Sequence, residues 1–432
     1  MNKPLNLLRD AVGRTMLSPA LRLMRAQMKL ISDPVHLREI AARFDALGSL
    51  RSDVSSVPVM AGAAPATWID VKGVRQGRVV LYLHGGAFIA ETPMFHGALL
   101  ARICRVARTR GLMVSYRLAP EHRYPAALDD CMAAYRWLLD QGHDPTHIVV
   151  AGDSAGGNLT LALLLRARDE GLPLPAGAVV LSPVADLTFS GDSVQRNDGV
   201  DDMFSADLMG GLVPVYLARP DLCTHPHVSP VFGDYAGMPP LLLIVGSTEL
   251  LLDDSVRVAH RCPNAQLLVW NGMPHVFPGF DFLPEAREAT QRIGRFVREC
   301  VIGEPLPQAR AAGQVDRAAE APAEPAPAAD ERAAPRRLGV EALLYLALAL
   351  LTGAISLALL TVWMGPALLL ANPFVWAATA VVVVFMLVEA STVGWRRLPW
   401  SFGATLLLGP GCGLSVFLFQ RAAGGAGGRR EG

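Results

Sequence analysis

Neither sign of charge prevails in this 432-residue sequence: Lys plus Arg and Asp plus Glu each number 39, and the formal net charge is zero. A nucleic-acid-binding surface needs clustered positive charge, which this balance does not supply, so that class of function is set aside. Cysteine is scarce and scattered. Cys104, Cys131, Cys223, Cys262, Cys300 and Cys412 form no C-x-x-C pair and no spacing suited to zinc or a disulfide framework, so free buried thiols are expected. An uninterrupted apolar run near the start is also missing. Arg9, Arg14, Arg22, Arg25 and Lys29 break up the first 31 residues, and no cleaved signal peptide is expected.

Charge itself is nearly lacking at the other end. From Leu338 to Gln420, 83 residues, only Glu341, Glu389, Arg396 and Arg397 are charged, against 18% of the whole chain. Three runs there, at about 342–363, 374–394 and 400–419, each approach the roughly 20 residues a membrane-spanning helix needs, so three transmembrane helices are expected. Ahead of them, residues 302–337 hold 12 Ala, 6 Pro and no aromatic residue, a composition that cannot bury enough apolar surface to offset ordering and so forms a disordered linker. Arg332, Arg336 and Arg337 precede the first span, and Arg396 and Arg397 separate the second from the third. Arg421, Arg429 and Arg430, in the Gly/Arg tail 421–432, oppose them, five against three, which puts the preceding domain on the cytoplasmic side of a bacterial inner membrane.

Residues 1–301 mix short apolar runs with helical patterns. Arg78–Leu83, Leu112–Tyr116, His147–Gly152, Ala178–Ser182, Leu241–Gly246 and Ala265–Trp270 are predicted as buried strands. Between them, Ala127–Gln141, Ala155–Glu170, Asp253–Arg261 and Pro284–Glu299 supply the helical crossovers that a parallel sheet requires. The economical solution is an α/β domain, its mostly parallel sheet covered by helices on both faces. Residues 1–50 carry apolar stripes at helical spacing, Leu17, Leu21, Met24, Met28, Ile31 and Leu37, Ile40, Phe44, Leu47, and should pack as helices over something apolar. A basic amphipathic helix on a membrane surface is the other reading of the first stripe.

The sharpest motif is Gly152-Asp153-Ser154-Ala155-Gly156, a G-x-S-x-G turn between a predicted strand and a predicted helix. Such a turn exposes Ser154 as a nucleophile, and small residues on either side let neighbouring backbone pass close by. A glycine-rich turn without catalytic meaning is the plainer alternative. His84-Gly85-Gly86-Ala87-Phe88 follows an earlier strand, where backbone N–H groups can meet a developing oxyanion together with the Ala155 N–H. A serine nucleophile needs a base, and His275 lies between the last strand and the last helix, which fits the chain order Ser, acid, His. His225 and His227 fall in an insertion at about 187–235 and suit surface or pocket lining, and His84 suits bracing its loop. The orienting acid should follow Leu241–Gly246. Loop position favours Glu249, with Asp253 the alternative, while Asp253 and Asp254 also suit the start of the next helix.

These residues together resemble the hormone-sensitive-lipase-like branch of the α/β-hydrolases, the bacterial family IV esterases. Beside HGGAF and GDSAGG, the run Tyr116-Arg117-Leu118-Ala119-Pro120-Glu121, then Tyr124-Pro125-Ala126 and Asp129, is similar to that branch, as are Ser182-Pro183 and Gly237-Met238-Pro239-Pro240. The GSTELLLDDS stretch resembles a subgroup of acetyl esterases and monoterpene ε-lactone hydrolases. The resemblance implies an α/β-hydrolase fold over 51–301 with a helical cap from residues 1–50 and the insertion. It implies Ser154 as nucleophile, His275 as base, Glu249 as acid and Gly85, Gly86 and Ala155 as oxyanion donors. Ala87 stands where the branch usually has a third glycine, and Glu249 where many members have Asp. The C-terminal Ala371-Asn372-Pro373-Phe374 and Trp395-Arg396-Arg397 resemble small three-helix bacterial membrane proteins, with no function implied.

The reading that follows is a membrane-anchored carboxylic ester hydrolase acting on short- to medium-chain acyl esters or lactones, with no cofactor and no metal. Two other classes compete. Plant gibberellin receptors resemble this branch but lack the histidine, so retention of all three triad positions argues against a small-ligand receptor. A membrane function with an accessory esterase would need intramembrane ionisable residues, and Glu389 near a helix end is the sole candidate.

Overall fold

The computed structural model describes residues 17–302, apart from 23, 27, 29–32, 46–49 and 75–76, together with 316–318. The chain divides into two units, 1–322 and 323–432, and everything described belongs to the first. The expected spans and tail, and the linker apart from Ile302 and 316–318, lie outside the described residues. Among the described residues no helix is long and apolar enough to cross a membrane.

The order of elements is α1 (Pro34–Asp45), β1 (Val54–Ala61), β2 (Ala64–Val71), β3 (Val79–Leu83), α2 (Pro93–Ala107), β4 (Arg110–Val114), α3 (Ala126–Asp140), β5 (Ile148–Asp153), α4 (Ala155–Asp169) and β6 (Gly177–Leu181). The insertion follows with α5 (Asp192–Arg196) and α6 (Ala206–Tyr216). Then come β7 (Leu241–Gly246), α7 (Leu252–Arg261), β8 (Ala265–Trp270) and α8 (Pro284–Ile302). The sheet order is β1-β2-β4-β3-β5-β6-β7-β8, extended by a three-residue β9 (Asp316–Ala318) beside β8. That last strand comes from the expected linker, which is therefore not unstructured at these three positions. From β4 across to β9 the pairs are parallel, and β1·β2 and β2·β4 are antiparallel.

Strands β3, β5, β6 and β7 are buried at every residue, as continuous apolar runs covered on both faces must be. Helix α4 is unusual in the same way. Twelve of its residues are buried, because the sheet holds one side while α3 and the insertion cover the other, so its sequence carries no clean polar stripe. Helix α8 is amphipathic, packing Ala286, Ala289, Ile293, Phe296 and Val297 into the core on the opposite face.

The β1–β2 hairpin and helix α2 are additions to the predicted elements. Strand β1 escapes an apolar pattern because most of its residues face solvent, with Val57 and Met60 about half exposed. Strand β4 begins two residues before the predicted start because Arg110 joins it, its guanidinium bound to Asp70 of β2 at 2.6 and 2.9 Å and lying 4.1 Å over the Trp68 ring. Tyr116 leaves the strand and donates its hydroxyl to the carbonyl of His84 at 2.7 Å. Side chains thus decided a boundary that apolar periodicity had misplaced.

Candidate active site

Parallel strands deliver their C-terminal ends to one edge of a sheet, and the loops there carry the chemistry of such folds. Ser154 follows β5, His84 through Ala87 follow β3, Glu249 follows β7 and His275 follows β8. Ser154 occupies φ 54, ψ −119, a conformation that L-residues rarely adopt and that costs about 1–3 kcal/mol. The turn is closed by Ser154 N–H donating to Leu181 O at 2.8 Å and Val184 N–H donating to Ser154 O at 3.2 Å. Its glycines are steric necessities. A Cβ on Gly156 would sit 1.9 Å from Leu83 O, and one on Gly152 would sit 2.3 Å from Gly156 O. Ser154 thereby caps α4, at the positive end of the helix dipole.

Glu249 and His275 form a buried pair. The imidazole donates Nδ1–H to Glu249 Oε2 at 2.8 Å, with the two side chains 0% and 3% exposed. The other carboxylate oxygen accepts from Ser182 Oγ at 2.8 Å and from the Gly246 N–H. Ser182 in turn accepts from Val276 N–H at 3.1 Å, so one hydroxyl ties the acid to the histidine loop. With Nδ1 committed, Nε2 is the ring's remaining acceptor, and it is buried without a hydrogen-bond partner. Burial alone would lower the His275 pKa, but the Glu249 hydrogen bond and charge, with Asp201 and Asp153 adding to them, outweigh it and hold the group above its ordinary value.

Asp153 organises the opposite side. Its Oδ1 accepts from Tyr82 OH at 2.7 Å and Gly85 N–H at 3.0 Å, and its Oδ2 faces His96 Nε2 at 3.2 Å. The pair is almost fully buried. Desolvation works against both charges, yet mutual attraction prevails, raising His96 and lowering Asp153. The expected donor set needs correction here. The Gly85 N–H is engaged by Asp153 and is not available to an oxyanion, whereas the N–H groups of Gly86, Ala87 and Ala155 carry no such commitment. Ala87, at the position where a third glycine was expected, takes φ 54, so its methyl group is accommodated in a left-handed turn.

The remaining candidates disperse. Asp253 lies in α7 with its carboxylate on Ser193 N–H at 2.8 Å and Arg196 at 3.3 Å, so Glu249 alone of the two acids engages His275. Asp254 accepts from the N–H groups of Ala185 and Asp186, and burial followed by the Asp186 charge pushes its carboxyl well above the usual range. His227 pairs with Asp169 at 2.9 Å and touches His225 edge-on, away from the strand ends. His84 is buried, stacked 4.1 Å from the Tyr116 ring, and braces its own loop by donating Nδ1–H to Gly85 O at 2.7 Å. Burial lowers its pKa. Among the described residues no group of three or more potential ligands could hold a metal ion.

A cavity opens at Ser154. Ala87, Val184, Leu187, Met209 and Leu212 are among its apolar lining residues, and the Phe88 and Tyr216 rings, stacked 3.8 Å apart, form part of its wall. Phe204 also lines it and meets His275 edge-on with ring centroids 4.8 Å apart. The insertion therefore roofs the cavity. Asn158 of α4 pins it, donating its amide to Val184 O at 2.7 Å and to Val228 O at 2.8 Å. A hydroxyl at a helix start, an oriented imidazole, unengaged backbone donors and an apolar cavity are together suited to acyl transfer.

The sequence does not mark Asp153, His96 or Asp201 as parts of this site: Asp153 fills the variable position of its motif, and the other two stand in no motif.

Residues 80–279 match the family described as α/β hydrolase fold. An acetyl-hydrolase of Streptomyces hygroscopicus is 38% identical over 298 residues, covering 66% of this chain and 97% of that protein. An esterase of Acinetobacter venetianus is 37% identical over 224 residues, 51% of this chain and 74% of the relative. The crystal structure of an esterase from the bacterial hormone-sensitive lipase family superposes with a TM-score of 0.62 at 36% identity, covering 66% of this chain and 98% of that one.

Proposed function

We propose, from the premise that the chain belongs to the hormone-sensitive-lipase-like esterases of the α/β-hydrolase fold and is a carboxylic ester hydrolase, that it works through Ser154, His275 and Glu249. The observation that carries this reading is the buried Glu249–His275 hydrogen bond, which leaves Nε2 unpaired at the edge where Ser154 sits. His275 Nε2 takes the Ser154 proton as Oγ attacks the ester carbonyl, and then gives it to the leaving alcohol. Water repeats the sequence on the acyl-enzyme. Glu249 keeps the tautomer that presents Nε2, and the N–H groups of Gly86, Ala87 and Ala155 receive the negative charge of each tetrahedral intermediate.

The cavity favours short- to medium-chain acyl esters or lactones, because its lining is apolar and the stacked Phe88 and Tyr216 restrict it. The acetyl-hydrolase relative points the same way. Hydrolysis of p-nitrophenyl esters from acetyl to long acyl chains by the full-length protein, with Ser154→Ala as control, tests the reading. Activity that peaks at short acyl chains and vanishes in the variant is expected. Equal hydrolysis by parent and variant would remove Ser154 from the mechanism.

Residues 338–420 serve in this proposal as a three-span anchor in a bacterial inner membrane, with the hydrolase on the cytoplasmic side; the near absence of charge over that stretch supports it. Retention of the full-length chain in membranes washed with alkaline carbonate is expected, and its release into the wash would refute the anchor.

A further inference from the structure

Side chains from distant parts of the chain brace the loop that carries Glu249. Asn197, in the insertion, donates its side-chain amide to Glu249 O at 2.7 Å and to Ser247 O at 3.2 Å. Asp201 accepts the Leu250 N–H on Oδ2 at 2.9 Å. With its other oxygen Asp201 accepts from Met203 and Phe204 N–H at 2.8 and 3.0 Å, building the turn that sets Phe204 against the His275 ring. Ser193 adds a hydroxyl bond to Leu250 O at 2.6 Å. The N-terminal segment clamps the same turn from outside: Arg25 donates to the carbonyls of Asp201 and Phe204, and Ser18 and Arg22 both bind Asp202. Asn197 is 7% and Asp201 1% exposed, so both are built into the interior rather than resting on it.

We propose that Asn197 and Asp201 are positioning residues for ester hydrolysis, fixing the acid loop and the aim of His275, and that Arg25 enforces their geometry from the N-terminal segment. The proposal rests on the assignment of Ser154, His275 and Glu249 given above. It gives the insertion a part in catalysis besides roofing the cavity. The carboxylates that bear on His275 come from three places: Glu249 after β7, Asp201 in the insertion and Asp153 at the end of β5. All three favour the protonated ring, so loss of one moves its titration downward.

The test uses the full-length chain and p-nitrophenyl acetate. Asp201→Asn keeps the shape of the side chain and removes its charge. Its expected effect is a fall in kcat of about tenfold with little change in KM, and an acid limb of kcat/KM displaced to lower pH. Residues that only stabilise the fold would reduce the active fraction, counted by the p-nitrophenol burst, and leave that limb where it was. Asn197→Ala and Arg25→Ala carry the decision should Asp201→Asn not fold, since among the described residues Arg25 donates to main-chain oxygens of the turn. In both, a lower kcat at unchanged KM is expected, and Arg25→Lys should retain more activity than Arg25→Ala. Parent-like kcat and an unmoved acid limb in the folded variants would overturn the proposal. Ser154→Ala separates the two readings: if it is inactive while the positioning variants are parent-like, only this proposal falls, and if it is active the triad assignment falls first.

Discussion

The two halves of the site are built from different materials. On the β3–β5 side the site is made by main chain, through glycines that no larger residue can replace and a loop tied by its Gly85 N–H to a buried Asp153. On the β7–β8 side it is made by side chains, Glu249 and His275, whose loops are bonded to Ser182, Asn197 and Asp201 from other parts of the chain. Main-chain geometry tolerates almost no substitution but needs little support once the turn has formed. Side-chain geometry can be altered atom by atom and depends on partners far away in sequence.

Ser154→Ala removes the group that both halves serve. Its kcat/KM for p-nitrophenyl acetate should fall by on the order of 10⁴-fold or more, measured against buffer. Glu249→Gln breaks the side-chain half alone. A loss of about 10²- to 10⁴-fold in kcat is expected, because the wrong tautomer becomes available. The pH profile gives the sign. The proposed mechanism requires neutral His275, so the rate should rise with pH through that group's pKa, which burial lowers and the Glu249 hydrogen bond and charge raise, the balance lying above the ordinary 6.5. The acid limb should therefore stand above 6.5 in the parent and move down in the Gln variant. A limb that stays fixed would detach Glu249 from His275.

His96→Asn breaks the main-chain half instead. The Asp153 charge loses its cation, and stability should drop by about 3 kcal/mol in urea unfolding, with a smaller fall in kcat than for Glu249→Gln. His96 is raised above 6.5, so its contribution is full below that pH and fades as pH rises through the folded value. Asp153 is lowered below 3.8, so its contribution is present above that pH and disappears as pH falls through the folded value. The stability difference between parent and variant should accordingly plateau between about pH 3.8 and 6.5. His227→Ala touches neither half. Activity within about twofold of the parent and a stability change below about 1 kcal/mol would set His227 apart from catalysis.

The same contrast explains what the sequence discloses. The G-x-S-x-G turn is legible because its steric demand is local and leaves a local mark, and the order of Ser154, Glu249 and His275 follows from the order of the strands. The identity of the proposed oxyanion donors is not local. Gly85 is withdrawn from that role by Asp153, 68 positions on, and nothing near Gly85 announces it. Asn197 and Asp201 are equally hidden, since their partners lie about 50 residues downstream. Strand β1 is obscured for another reason: it is an exposed edge strand carrying Pro58, so neither alternation nor a continuous apolar run betrays it.

A single amide decides where the cavity's roof could be cut from the chain. Because Asn158 holds Val184 O and Val228 O together, a long excursion leaves and rejoins the hydrolase body at one seam, and a chimera spliced there would inherit a ready-made joint. The excursion is not uniformly portable. Exchanging α6 and the residues after it would transplant acyl preference, whereas exchanging the stretch from Ser193 to Asp201 would also discard the struts beneath the acid loop, and the donor would have to bring its own.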